Sequence, residues 1–134
     1  MNRPSNMPRQ LKQYINTFLH AAELYRILAK SAPNDQSQKT LENFSEECRK
    51  SADGFSAAYR SMTGYTSDPK PMPIKETGSF RSVLRGRIPA EIDLSKRLRE
   101  DYLSCGDNFR LKRTFFNAYH DALARTVSLI EMLM

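Results

Sequence analysis

Apolar residues in this chain recur at alternating steps of three and four over four long stretches, and that spacing constrains the fold more than any other feature. Residues three and four apart share one face of an α-helix, whereas the face of a strand repeats every two. The first stretch runs from about Pro8 to Ser31 and carries Leu11, Ile15, Phe18, Ala22, Tyr25 and Leu28. The second, from about Asp35 to Thr63, carries Leu41, Phe44, Cys48, Ser51, Phe55, Ala58 and Met62. The third, from near Ser79 to near Gly106, carries Leu84, Ile88, Glu91, Ser95, Leu98, Tyr102 and Cys105. The fourth, from about Asp107 to Leu133, carries Leu111, Phe115, Ala118, Ala122, Thr126, Leu129 and Leu133. No run alternates with period two over strand length. The spacing predicts an all-α chain.

The punctuation between the stretches agrees with the spacing. Pro8 suits a first helical turn and Pro33 ends the first run. Asp35 is expected as the N-cap of the second helix and Gly64 as its C-terminal stop. The segment TGYTSDPKPMPIKETG (63–78) holds three prolines and two glycines, so no regular element is expected there. It is long enough to cross from one end of a bundle toward the other. Pro89 predicts a short helix from Ser79 to Gly86, a kink or break, and a new helix from Pro89. Short loops at APN (32–34) and around CGD (105–107) imply antiparallel neighbours. The expected architecture is a four-helix bundle of two antiparallel hairpins joined by a long crossover. The whole chain, 1–134, reads as one domain with one core.

Composition narrows the function classes. No apolar run approaches the roughly 20 residues that span a bilayer, and MNRPSNMPRQ lacks the apolar core of a secretory signal. A cytoplasmic protein is expected. Cys48 and Cys105 are too few and too far apart for a disulfide framework or a CxxC site, and read as reduced, buried thiols. The net charge of +6 favours anionic partners in general. Its cations are scattered: Arg81, Arg85 and Arg87; Lys96, Arg97 and Arg99; Arg110, Lys112 and Arg113, with acids among them. No aromatic–basic nucleic-acid motif is present, and nucleic acid is not an expected partner.

The runs FLHAAELYRILAKSAP (18–33) and LENFSEECRKSADGFSAAYRSMTG (41–64) resemble the first hairpin of small bacterial ferritin-like proteins of the rubrerythrin type. ETGSFRSVLRGRIPAEIDLSKRLREDYLS (76–104) resembles their crossover and third helix, and ARTVSLIEML (124–133) the end of their fourth. In that family one helix of each hairpin supplies a Glu seven residues before a Tyr-like position, and the other supplies Glu-x-x-His. Residues three apart on a helix share a face, so such pairs converge on two irons inside the bundle.

Carried over, the first Glu position falls on Phe18, seven before Tyr25, and the pair on helix two falls on Cys48 and Ser51. The third-helix Glu is present as Glu91, seven before Leu98, and the last pair falls on Ala122 and Arg125. The two hairpins match each other, with Phe18 and Cys48 separated by 30 residues and Glu91 and Ala122 by 31. One of six ligands is retained. A di-iron centre needs several carboxylates, which Phe, Cys, Ser, Ala and Arg do not supply. No metal and no cofactor are expected. A five-residue shift would instead make Asn117 and His120 the degenerate pair, but His120 lies opposite Ala122 and Leu129 and reads as solvent-facing. His20 is off its stripe.

Glu91 stands in an apolar stripe, where a lone carboxylate is costly and must be protonated or paired. Arg125, on the neighbouring helix, is expected to pair with it and substitute for the lost cation. The alternative places Glu91 near Pro89 at a helix start, partly exposed and favoured by the helix dipole. Phe18, Cys48, Ser51 and Ala122 read as a metal core converted to packing.

The expected function is that of a metal-free ferritin-like scaffold, a structural or protein-interaction module. A homodimer is expected from the resemblance, with an unknown protein partner beside it. An alternative is a metal-binding or redox protein with a non-family site built on Cys48, Glu91 and Tyr14, Tyr25, Tyr59, Tyr102 or Tyr119. A second alternative is a binder of anionic surfaces or nucleic acid through the basic third segment. No Ser/His/Asp set, glycine-rich phosphate loop or carboxylate pair identifies an enzyme. Met72, Ile74, Ile130, Met132 and Met134 are candidates for a partner surface.

Overall fold

The computed structural model describes residues 6–75 and 78–134. Glu76 and Thr77 of the proline-rich segment, and the first five residues of the N-terminal stretch, lie outside the described residues. The chain is all-helical. It forms α1 (Met7–Lys30), α2 (Asp35–Thr63), α3 (Phe80–Ser104) and α4 (Phe109–Leu133), and no strand occurs among the described residues.

Local chemistry sets the ends of the helices. Asn34, not Asp35, is the N-cap of α2: its backbone is extended and its side chain accepts from the Ser37 N–H at 2.8 Å. Asp35 becomes the first helical residue, where its charge meets the positive end of the dipole. Either Asx residue could cap; the one following Pro33 takes the extended conformation a cap needs. Gly64 closes α2 in the left-handed region at φ 79°, its N–H reaching the Arg60 carbonyl at 2.8 Å. Ser79 caps α3 through the Ser82 N–H, and Asn108 caps α4 through the Leu111 N–H.

The break expected at Pro89 does not occur. α3 is continuous from Phe80 to Ser104 with Pro89 inside it. Pro89 removes one helical bond, to the carbonyl of Arg85, but both residues are exposed, so water reaches that carbonyl. Leu84 before it and Leu94 and Leu98 after it all enter the same core, which holds both halves in one helix.

The helices pack as a bundle, α1 against α2 and α3 against α4, with α2 also meeting α4. A layer of rings joins three of them. Tyr14 stacks on Phe55 at 5.1 Å, Phe18 on Phe55 at 5.8 Å, and Phe115 meets Phe55 edge-on at 5.1 Å. Further along, Tyr25 meets Phe44 at 5.3 Å and the Ser45 hydroxyl donates to the Ala22 carbonyl at 2.7 Å. The stripes enter this core with local exceptions: Met62 is exposed, and Ala58, Ile88, Tyr102, Cys105 and Leu133 are only partly covered. The segment after Gly64 is non-helical through residue 75 and is tied to α1. Asn16 accepts from the Lys70 N–H at 3.0 Å, His20 Nδ1 lies 3.0 Å from the Met72 carbonyl oxygen, and Ile74 packs on the core. Among the described residues, no helix is long and apolar enough to cross a membrane.

Candidate functional site

The most unusual chemistry in the bundle is a polar cluster in its interior to which every helix contributes. Glu91 sits eleven residues into α3, not at a helix start, and is fully buried. Leu84, Leu94 and Leu98 set which face of α3 turns inward, and Glu91 falls on that face. Arg125 of α4 is also fully buried, between Ala122 and Leu129 on the inner face of its helix. Its guanidinium grips the carboxylate with two bonds, Nε to Oε2 at 2.9 Å and Nη2 to Oε1 at 3.1 Å. This is the fork geometry that matches a planar carboxylate.

The other partners complete the shell. The Tyr25 hydroxyl of α1 donates to Glu91 Oε2. Arg87, one turn before Glu91, donates from Nε to the Tyr25 hydroxyl at 3.2 Å and from Nη2 to Glu91 at 3.4 Å. Glu47 of α2, half-exposed, accepts from the third nitrogen of Arg125, Nη1, at 3.2 Å. Two guanidinium groups thus face two carboxylates. Burial pushes the Tyr25 hydroxyl well above its ordinary range, against the pull of Arg87. Burial also pushes the Cys48 thiol up to about 12, although the Arg125 charge opposes this. Cys48 is a buried, protonated neighbour of the cluster rather than an available thiolate.

The six positions carried over from the resemblance do not all meet here. Glu91 and Arg125 touch, and Cys48 lies within range of their charges. Ala122 is buried, and its carbonyl accepts the Thr126 hydroxyl at 2.9 Å. Phe18 is part of the ring layer. Ser51 lines a shallow groove of about 320 Å³ between α2 and α4, beside Gly54 and Thr114. Among the described residues, no group of three or more His, Cys, Asp or Glu side chains is placed to hold a metal ion. The guanidinium of Arg125 lies between the carboxylates of Glu47 and Glu91 and occupies the acceptor atoms that a cation would need. The donor set does not fit a pair of irons.

The remaining candidates lie elsewhere. His120 is exposed, 6.2 Å from the Phe116 ring. Tyr14 donates to Asp101 at 2.5 Å, linking α1 to α3, and Lys112 caps the Tyr102 ring at 4.7 Å. Tyr59 lies under Lys12. Of the five tyrosines considered, Tyr25 alone touches Glu91 among the described residues. Arg87 and Glu47 are not apparent from the stripes. Arg87 had a signal, since it stands four residues before Glu91 on one helix face; Glu47 had none, lying off the apolar positions of α2. Arg87 also forms one wall of a groove of about 560 Å³ between α1, α3 and the segment after Met72, with Arg97, Lys75 and Leu94.

Comparison of the chain with protein-family models, with curated proteins and with solved structures finds no match.

Proposed function

We propose that the chain is a ferritin-like bundle of two antiparallel hairpins joined by a long crossover, in which a guanidinium stands where that architecture holds metal. In this reading it is a structural or protein-interaction module, and no cofactor takes part. The observation that carries the reading is the bidentate Arg125–Glu91 pair, fully buried and shared among all four helices through Tyr25 and Glu47. A carboxylate kept at such a position needs a compensating cation. Arg125 supplies one that is covalently part of the chain and does not exchange. The stacking of Phe18 on Phe55 supports the same reading, because aromatic volume fills the interior beside it. The order of contacts between α1 and α2 supports the antiparallel hairpin: Tyr14 meets Phe55, and Tyr25 meets Phe44.

The test is elemental analysis of protein expressed in medium supplemented with iron and zinc. The expected result is far less than one metal per chain in a protein whose circular dichroism is fully helical. Stoichiometric iron or zinc in the folded protein would overturn the reading and favour a metal-handling role instead.

A further inference from the structure

α4 has two apolar faces. Leu111, Phe115, Ala118, Ala122 and Leu129 enter the core. A second set, Phe109, Phe116, Leu123 and Ile130, is exposed at strict seven-residue spacing, with Val127 and Met134 four residues after Leu123 and Ile130. At about 100° per residue this stripe is centred roughly 130° away from the buried face. It runs the length of the helix, with Arg113 and His120 at the two remaining positions of the repeat: Phe109 is 74%, Val127 57% and Met134 97% exposed. A helix at the edge of a bundle ordinarily turns polar residues outward. A seven-residue apolar repeat on an outer face is the pattern of a helix that packs against another helix.

We propose that this face is the docking surface for α4 of a second copy of the chain, packed antiparallel. The proposal rests on the reading of the chain as an interaction module and names its partner. In an antiparallel pair, each exposed residue meets a different residue of the other copy. One register sets Phe116 against Val127, Leu123 against His120, Ile130 against Arg113 and Phe109 against Met134. The same register brings the exposed Arg110 beside the exposed Glu131 of the other copy, twice by symmetry, so the charges at the rim complement one another. A parallel pair would set Arg113 against Arg113 and His120 against His120. Both directions are two-fold, but opposite charges meet in the antiparallel pair and like charges in the parallel one, which selects the antiparallel.

Sedimentation velocity on the full chain tests the inference. A dimer is expected at micromolar concentration. Leu123→Glu with Val127→Glu should weaken it by about 100-fold or more, the loss expected for central anchors. Both side chains are exposed within the protomer, so helicity should not change. Arg110→Glu should weaken the dimer, and adding Glu131→Arg should restore it. Direction is read by short bis-maleimide cross-linking in a Cys105→Ser background. His120→Cys lies near the two-fold axis and should link to its own copy. Phe109→Cys should not, since the two copies of residue 109 would be roughly 37 Å apart. A monomeric wild type, or a dimer indifferent to the Leu123/Val127 change, overturns the proposal. Efficient cross-linking through Phe109→Cys overturns the antiparallel packing. None of these results depends on metal content, so the docking surface and the metal-free reading stand or fall separately.

Discussion

A guanidinium in the middle of four helices is costly to desolvate, and it persists only where every face of it is answered. Arg125 meets that condition: Glu91 takes two of its nitrogens and Glu47 the third. The same economy governs the neighbouring thiol. Cys48 is sealed from solvent, whereas Cys105 at the end of α3 is partly open. With native protein, a thiol reagent should therefore titrate one of the two cysteines, Cys105, and reach Cys48 only on unfolding. The pH dependence follows. Folding holds the Cys48 thiol above its ordinary value of 9.0, up to about 12. The unfolded chain releases this proton first, so the contribution to stability is intact below pH 9 and is lost as pH rises toward 12. Urea unfolding across that window should show a decline in the wild type that is shallower in Cys48→Ala. An identical slope in the two proteins would mean that the thiol is not held protonated.

At the scale of the elements, the caps and the stripes decide where each helix begins and which face it buries. Asn34→Ala should lower stability by about 1 kcal/mol, because it removes the acceptor for the Ser37 N–H. Asp35→Ala should cost only a few tenths, the value of a first-turn charge at the dipole. Equal losses would return the cap to Asp35. The run PND does not separate these two residues, since both can cap; the extended backbone at Asn34 does. Pro89 was misleading for a related reason. A proline predicts a break from its own chemistry, but solvent at Arg85 and core packing on both sides keep α3 whole. By contrast the four helices themselves were legible, because three-and-four spacing over some 25 residues has no strand equivalent. Glu91 stood out because it puts a charge on an apolar stripe, and Arg125 because the resemblance carries a ligand position onto it, three residues after Ala122. Glu47 did not, because a residue off the apolar stripe looks like any solvated surface charge until its neighbours are known; Arg87 offered only its four-residue spacing from Glu91.

At the scale of the whole molecule, the cluster is the point where α1, α2, α3 and α4 are joined by something other than apolar packing. Apolar contact has little directionality, and many rotations of a helix bury similar area. A fork bonded to one carboxylate permits very few. In this account the ionic cluster sets the rotation and register of α3 against α4, leaving the outer face of α4 free for contact with another chain. The claim predicts strong coupling between its two central residues. Unfolding in urea should be measured for Glu91→Gln, Arg125→Met and the double variant. Each single change leaves a buried partner unanswered and should cost about 3–5 kcal/mol. The double variant should cost much less than their sum, giving a coupling of about 2–3 kcal/mol. Additive losses, with a coupling below about 0.5 kcal/mol, would contradict the account and reduce the pair to an incidental contact.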